Sequence, residues 1–199
     1  MMHFVLNQIG ECACTLYLMK NMSFTTERII TMRKGMTKRE REVTDPSQIL
    51  EILDTCKILH LGLVDGDQPY IVPMNYGYTM EDGHLTLYLH AATKGYKLDL
   101  MRANPKVCFS MECDVQMFEG RVACQYGTVY KSLMGKGMAE LIEDVEDKKK
   151  FLSIFMKTQT GKDFAFDDRM VSIVSIIKID VSDYSAKARP LPAALRGEE

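Results

Sequence analysis

The segment 85–105 constrains the fold more than any other part of the chain, because its pattern changes from strand to turn to helix. Every second residue from Leu85 to Leu89 is leucine, which predicts a strand with one buried face that ends at His90. Small residues and lysines fill positions 91–97, and an amphipathic pattern then continues to the end of the segment. The sequence therefore predicts a strand that delivers a titratable ring close to the start of a helix.

Such a turn is suited to holding a phosphate. The free N–H groups and the dipole of a helix N-terminus favour an anion, and Lys94 and Lys97 would add full positive charges. The alternative is a surface turn with solvated lysines, which is the commoner structure for an isolated segment of this kind. The turn alone leaves both interpretations open.

A second segment, 68–79, is a long β-prone run with Pro73 near its centre. Proline cannot donate a hydrogen bond to a sheet, so the pattern predicts an edge strand or a bulge. Backbone groups freed in this way would suit a planar heterocycle with alternating donors and acceptors. A bulged edge strand without a ligand is the alternative.

Four blocks of residues in order carry a resemblance to a known family: Met36 to Val43; Pro69-Tyr70-Ile71-Val72-Pro73-Met74-Asn75; His90, Lys94-Gly95, Lys97 and Asn104-Pro105; and Tyr130 to Ala139. Together they resemble the FMN-binding split barrels of the pyridoxamine 5'-phosphate oxidase-like superfamily. The closer similarity is to its nitroimidazole-resistance (Nim) subgroup. The resemblance covers about residues 36–187.

The pattern of the chain predicts about six mostly antiparallel strands with peripheral helices, which indicates a mainly β protein built as a barrel. The resemblance narrows this to a six-stranded antiparallel Greek-key split barrel of the FMN-binding type over residues 36–187. Residues 1–35 are expected to be an extension, either disordered or the product of a start codon assigned too early. Residues 188–199 are expected to be a C-terminal tail.

The resemblance also implies a set of cofactor-binding residues. Lys97 matches the lysine that contacts the FMN phosphate, although this chain has Gly95-Tyr96-Lys97 where many relatives have Ser-Arg-Lys. Ser132 matches a polar residue that reaches the flavin of the partner subunit, and an ordinary strand hydroxyl is an equally good interpretation. The complete set expected to contact FMN is Tyr70, Ile71, Val72, Pro73, Met74, Asn75, His90, Lys94, Lys97 and Ser132.

The function implied by the resemblance is an FMN-dependent reductase of small electrophiles such as nitroaromatic or nitroimidazole compounds, built as a homodimer with the flavin at its interface. His90 is the expected catalytic residue, since the matching histidine lies beside the flavin and imidazole can move protons near neutral pH. Two alternatives stay open, a flavin- or haem-binding carrier or sensor of the same fold and a barrel that binds single-stranded nucleic acid. The chain has no tryptophan and lacks the C-terminal pattern of the true oxidase, which argues against oxidation of pyridoxine phosphate.

Composition limits the remaining choices. The net charge of −2 gives no basic field to attract nucleic acid, and 46% apolar residues are enough for a core. No apolar tract is long enough to span a bilayer. The six cysteines lack a zinc-binding or disulfide framework, so we expect no metal site and idle thiols in a reducing cytoplasm.

Overall fold

The computed structural model describes residues 36–196. The expected N-terminal extension, residues 1–35, therefore lies outside the described residues, as do residues 197–199. The strands are β1 (Glu42–Val43), β2 (Ile58–Asp65), β3 (Gln68–Asn75), β4 (Gly77–Glu81), β5 (His84–Ala92), β6 (Lys106–Phe118), β7 (Gly127–Ile142) and β8 (Val174–Arg189). The helices are α1 (Pro46–Thr55), α2 (Tyr96–Ala103), α3 (Val145–Thr160), α4 (Asp168–Ser172) and α5 (Ala193–Arg196), with 3₁₀ turns at Arg39–Arg41 and Ala123–Gln125.

All described strands belong to one antiparallel sheet, which confirms the mainly β architecture with peripheral helices. The order is β3-β2-β6-β7-β8-β5-β4, with β1 paired to β8. Two details of the prediction were wrong: the sheet has eight strands rather than six, and the pairing does not close into a complete barrel. The additional strands are the two-residue β1 and β4, which the sequence pattern had merged with β3.

Tyr76 explains why the predicted strand 68–79 is divided. Its side chain is fully buried, and its hydroxyl donates to the carbonyl oxygens of Leu53 (2.8 Å) and Cys56 (3.1 Å) at the end of α1. These bonds anchor the chain between β3 and β4. Residues before the anchor pair with β2, whereas residues after it pair with β5.

The alternating, β-branched pattern of residues 170–181 predicts the last strand, but the observed strand begins and ends later. Residues Asp168–Ser172 form α4, because the carboxylate of Asp167 caps this helix by accepting from the N–H of Met170 at 2.8 Å. The strand β8 then continues to Arg189 through a register shift opposite Lys136 and Gly137. Ser182 is accommodated as a bulge in β8 and donates its hydroxyl to the Lys136 carbonyl at 3.2 Å.

Two apolar clusters hold the helices on the sheet. The main core includes Ile52 and Leu53 of α1, Leu98 of α2 and inward-facing residues of most strands. The second cluster joins α3 to the sheet through Phe151, Leu152, Tyr88, Ile142 and Ile176. No helix within residues 36–196 has the length and apolar character needed to cross a membrane.

Glycine allows α3 to lie very close to the sheet at Gly77. A Cβ atom at this position would lie 2.4 Å from Cα and 2.7 Å from N of Phe155, both backbone atoms of α3. The first residue of β4 therefore has to lack a side chain. This close approach fixes the position of Phe155, which also contacts His90.

Candidate functional site

His90 lies near the end of β5, with its side chain exposed between the buried residues Leu89 and Ala91. Its imidazole packs edge-on against the ring of Phe155 from α3, with ring centroids 4.6 Å apart and an interplanar angle of 74°. Two different elements, β5 and α3, therefore fix the position of this ring.

The surroundings of His90 favour its neutral form. Partial burial lowers the pKa of the imidazole below its ordinary value, and the positive charge of Lys97 lowers it further. A neutral imidazole carries one N–H donor and one acceptor nitrogen. His90 can therefore both give and receive a hydrogen bond at neutral pH.

The turn after β5 leads directly into α2 through Gly95. Its backbone, with φ 152° and ψ 153°, lies in a region that glycine alone enters readily, and no side chain caps the helix. The first backbone bond of the helix runs from the N–H of Leu98 to the carbonyl of Gly95 at 2.9 Å. The N–H groups of Tyr96 and Lys97 precede that bond, so they are free of the helix's own carbonyls.

The charges around this helix start are compatible with an anion. Lys94 is exposed, and Lys97 is half-buried one residue inside the helix. The one acidic residue of the first turn, Asp99, forms an ion pair with Arg102 at 2.9 Å. The negative charge of Asp99, which would repel an anion at this helix start, is therefore partly neutralised by Arg102.

Tyr96 connects this helix start to the hairpin formed by β2 and β3. Its ring lies edge-on to that of Tyr70, with centroids 5.8 Å apart and an interplanar angle of 85°. A hydrogen bond with the side chain of Asp65 raises the pKa of the Tyr96 phenol. The two segments that the sequence singled out are therefore adjacent in space.

The strand β3 forms one end of the sheet order, so Pro73 lies on an edge strand, as the sequence predicted. Tyr70 and Val72 are half-buried against the main core and Met74 is buried, whereas Ile71 and Pro73 face outward. In an edge strand, half of the backbone N–H and C=O groups lack a partner strand. Elsewhere in the fold, β3 also comes close to β5.

The side chain of Asn75 is already engaged. Its amide nitrogen donates to the Lys57 carbonyl at 2.9 Å and lies 3.5 Å from the side-chain oxygen of Gln159. Gln159 in turn donates to the carbonyl of Tyr76 at 2.7 Å. The Asn75 side chain thus fastens the end of β3 to α3.

Ser132 lies far from His90 within one chain. It pairs with Glu112 of β6 and Lys187 of β8. His90 pairs with Ile176 of β8, which in turn pairs with Ile142 of β7, so Ile142 is the β7 residue at the level of His90. The ten residues that separate Ser132 from Ile142 correspond to about 33 Å along the strand. The structure brings His90, Lys97 and Tyr70 into one region, and it does not bring Ser132 there.

Two cavities lie outside this region. The larger, about 800 Å³, lies between α1, β4 and the end of α3, and its polar groups are largely bonded to one another. Lys57 donates to the carbonyls of Asp54 (2.7 Å) and Thr158 (3.0 Å), and the Tyr78 hydroxyl donates to the Asp54 carboxylate at 2.7 Å. None of the residues predicted to bind a cofactor lines it.

The second cavity is a groove of about 450 Å³ on the outward side of the sheet. We call this side the outer sheet face and define it by the exposed or half-exposed groove residues His60, Gly62, Ile71, Cys108, Ser110, Met134 and Lys136. Ile71 is 67% exposed and Met134 is 55% exposed, so the face presents large apolar side chains to solvent. Ser132 lies on β7 two residues from Met134, on the same side of the strand.

Comparison with known proteins assigns the fold. Residues 45–188 match the family model described as pyridoxamine 5'-phosphate oxidase. The chain belongs to the pyridoxamine 5'-phosphate oxidase family. The split-barrel resemblance inferred from the four sequence blocks is thereby confirmed. No curated protein sequence gives a significant match.

Solved structures support membership of this family. A candidate 5-nitroimidazole antibiotic resistance protein from Bacteroides thetaiotaomicron is 31% identical, with a TM-score of 0.64 over 74% of this chain and 86% of that one. The flavocytochrome Anf3 from Azotobacter vinelandii is 18% identical, with a TM-score of 0.65 over 79% and 73% of the two chains. An FAD- and haem-binding protein from Mycobacterium smegmatis is 18% identical, with a TM-score of 0.64 over 78% of each chain. The last two show similarity of fold alone.

Phe155, Tyr96 and Asp65 are site residues that sequence reasoning missed. No sequence pattern indicated that the ring of Phe155 meets His90. Tyr96 stood next to Lys97 in the family pattern, where its departure from the commoner arginine was the available signal. Asp65 carried no comparable signal in the sequence.

Proposed function

We propose that this protein binds FMN in the space between β3 and β5 and serves as a reductase of small electrophiles such as nitroaromatic compounds. The observation that carries the proposal is the contact between Tyr70 and Tyr96, with ring centroids 5.8 Å apart. Through this contact the uncapped start of α2 lies beside Tyr70 of β3. One end of the space thus suits a phosphate and the other suits a planar heterocycle.

The phosphate end is supported by the donor groups of the turn. The N–H groups of Tyr96 and Lys97 are free of intrahelical bonds, and Gly95 leaves the approach to them clear of a side chain. The ammonium groups of Lys94 and Lys97 would supply charge. Lys97 is the better anchor, because its partial burial and its place inside the helix restrict its motion.

The ring end is supported by the backbone of Tyr70 to Asn75. An edge strand offers N–H and C=O groups in alternation, and the flavin ring carries acceptors and a donor along one edge. The side chain of Asn75 is bonded within the protein, so its main chain is the part available for this role. Pro73 keeps the strand from pairing fully with a further strand.

Bound FMN would supply the transfer of electrons from a nicotinamide or another donor to the electrophile. The contribution of His90 would be a proton-active group at the opening of the site. Its lowered pKa keeps the imidazole neutral near pH 7, so it can hydrogen-bond the bound molecule without placing a second positive charge beside Lys97. Phe155 would orient the ring and exclude water from one side of it.

A homodimer would complete the site. Ser132 lies about 33 Å along β7 from the level of His90, so its hydroxyl can serve this flavin only from a second copy. The outer sheet face next to Ser132 exposes the apolar side chains of Ile71 and Met134. Burying that face against a second copy would remove this apolar surface from water.

A visible absorption spectrum of the purified full-length chain tests the proposal. We expect a yellow protein that releases FMN on denaturation, or a colourless protein that takes up added FMN. A colourless protein that fails to bind FMN would overturn the proposal. A Soret band would instead assign the chain to haem-binding carriers or sensors, for which the flavocytochrome of similar fold provides a precedent.

Variants separate anchoring from chemistry. Lys97→Ala should weaken FMN binding about 10- to 100-fold, which corresponds to the loss of a charged hydrogen bond. His90→Ala should retain FMN but slow reoxidation of the reduced protein by a nitroaromatic compound. Lys162→Ala, at an exposed lysine just after α3, is the matched control and should change neither quantity. Binding of FMN without turnover by any donor and acceptor pair would leave a carrier or sensor as the function.

A further inference from the structure

The side-chain amide of Gln159, in the last turn of α3, joins three elements of the fold. Its nitrogen donates to the carbonyl oxygen of Tyr76, between β3 and β4, at 2.7 Å and to that of Lys57, just before β2, at 3.2 Å. The Lys57 carbonyl also accepts from the Asn75 side chain at 2.9 Å. Gln159 is half-buried, so these bonds are partly shielded from water. One side chain therefore connects α3 to the end of β3.

The same face of α3 carries Phe155, one helical turn before Gln159. The backbone of Phe155 lies against Gly77, the residue after Tyr76, where an added Cβ would be 2.4 Å from the Phe155 Cα. The ring of Phe155 packs on the ring of His90, with centroids 4.6 Å apart. Residues 76 and 77 thus contact successive turns of α3. A shift of the last turn would reach His90 through Phe155.

Other contacts keep α3 on the sheet when the Gln159 bonds are absent. The ammonium of Lys57 donates to the Thr158 carbonyl at 3.0 Å, and the Thr158 hydroxyl accepts from the N–H of Tyr78 at 3.4 Å. The second apolar cluster holds the middle of the helix through Phe151. Gln159 therefore adjusts the position of the last turn, whereas the apolar contacts attach the helix as a whole.

We propose that Gln159 is a positioning residue, which sets the place of the His90 ring relative to the main chain at the end of β3. It acts on the ring through Phe155 and on the strand through the carbonyls of Lys57 and Tyr76. The inference rests on the proposed function, in which the His90 ring and the main chain of β3 contact the same bound molecule. The amide of Gln159 is bonded within the protein, so its effect on the reaction is indirect.

Gln159→Met tests the inference, because it keeps the length of the side chain and removes the amide. In the full-length apoprotein the NMR signals of the His90 ring should shift, and the pKa of the imidazole should rise toward its ordinary value because Phe155 shields the ring less. With FMN bound, reoxidation by a nitroaromatic compound should slow by about 10-fold, since small misplacements of reacting groups have effects of this order. FMN affinity should change far less, because the turn with Lys94 and Lys97 is unaltered.

Thr160→Ala is the matched control at the next position, because the Thr160 hydroxyl donates to the Met156 carbonyl of the same helix at 2.7 Å. It should change neither the titration of His90 nor the rate of reoxidation. Gln159→Leu also lacks the amide and provides the same test if Gln159→Met does not fold. In a double variant with Phe155→Leu, the two changes in the His90 titration should not add, because both act through one ring.

The outcomes separate this inference from the proposed function. If Gln159→Met lowers the stability but leaves the His90 titration and the rate of reoxidation unaltered, the role of Gln159 is purely structural and the inference is wrong. Additive effects in the double variant would overturn the route through Phe155. If the unaltered protein does not bind FMN, the proposed function fails, and the His90 titration of the apoprotein still decides whether Gln159 positions the ring.

Discussion

The ring of Tyr96, the first residue of α2, meets the ring of Tyr70 on β3 edge-on at a centroid distance of 5.8 Å. This contact connects the turn that carries Lys94 and Lys97 to the strand that carries Pro73. The hydrogen bond between Tyr96 and Asp65 fastens the same ring to the β2–β3 hairpin. The Tyr96 side chain therefore contributes to the relative position of the two halves of the proposed FMN site, together with the burial of Leu98 in the main core.

Tyr96→Ala should weaken FMN binding by less than Lys97→Ala does, because it disturbs the alignment of the site without removing a charge. Tyr96→Phe keeps the contact with Tyr70 and loses only the bond with Asp65, so its effect should be smaller still. Titration of each apoprotein with FMN, followed by flavin fluorescence, measures this order. Equal affinities for Tyr96→Ala and the unaltered protein would show that the contact does not position the site.

The titration of His90 should depend on Lys97. The positive charge lowers the pKa of the imidazole, so Lys97→Gln should raise that pKa toward its ordinary value. The ring-proton chemical shifts of His90, followed by NMR across pH 4–9, measure the change. Lys162→Gln is the charge-matched control and should leave the titration unaltered.

The lowered pKa of His90 also makes the stability of the protein depend on pH. Because the pKa of His90 is lower in the folded protein, the unfolded chain binds more protons between the folded pKa and the ordinary value near 6.5. The contribution of His90 to stability is therefore present above that window and is lost as the pH falls through it. In the His90→Gln variant, the free energy of unfolding in urea should fall less as the pH is lowered. The same dependence on pH in the variant and the unaltered protein would contradict this account.

Tyr76→Phe should destabilise the protein by about 1–3 kcal/mol, because it leaves two carbonyl oxygens at the end of α1 without their hydroxyl donor. The free energy of unfolding in urea measures the loss. Tyr184→Phe is the control, since the Tyr184 hydroxyl makes one longer bond, 3.3 Å, at an exposed site. Similar losses of unfolding free energy in the two variants would show that the buried Tyr76 hydroxyl contributes no more to stability than an exposed tyrosine hydroxyl.

Gly77→Ala should cost about 1–3 kcal/mol of stability, since its methyl group would collide with the backbone of α3 at Phe155. Relief of the collision requires α3 to move, which would also change the environment of the His90 ring. Gly62→Ala is the control, because its methyl group would crowd the Sγ of Cys108, which can rotate, and would lie at an ordinary contact distance of 3.6 Å from the Cys108 carbonyl oxygen. Urea unfolding and the NMR shifts of His90 together distinguish a local adjustment from a displacement of the helix.

Met134→Glu should shift the chain from dimer to monomer, because it places a charge in the centre of the outer sheet face. Analytical ultracentrifugation across a concentration series measures the equilibrium. Met170→Glu, at a methionine of α4 that is 51% exposed, should leave the assembly unaltered. If the protein without substitutions is a monomer and still binds FMN, Ser132 of a second copy does not contribute to the site.

Much of the fold could be predicted because residues that cap helices or interrupt strands mark many of the element boundaries. Asp45 caps α1 by accepting from the N–H of Ser47 at 3.0 Å, and Gly161 ends α3 in the left-handed conformation; aspartate and glycine are residue types that favour these positions in any sequence. Pro73 correctly predicted an edge strand. The boundaries that failed depended on tertiary contacts, such as the Tyr76 hydroxyl bonds to α1 and the Ser182 bulge.

The site was predictable only in part. The alternation of β5 and the turn that follows it placed His90 next to Lys97, because neighbours in sequence remain neighbours in a tight turn. The contact with Phe155 joins residues 90 and 155, and no local pattern encodes such a pairing.

The close approach of α3 at Gly77 also bears on how this protein could acquire a different substrate. Phe155 contacts both the backbone of Gly77 and the ring of His90, so substitutions on α3 alter the wall of the site without touching the residues proposed to hold the phosphate. A directed-evolution library that varies positions facing His90 from α3 would therefore change selectivity while leaving cofactor affinity intact. Position 77 has to stay glycine in such a library, because a side chain there would move α3 away from the sheet and so change its distance from His90 in every variant.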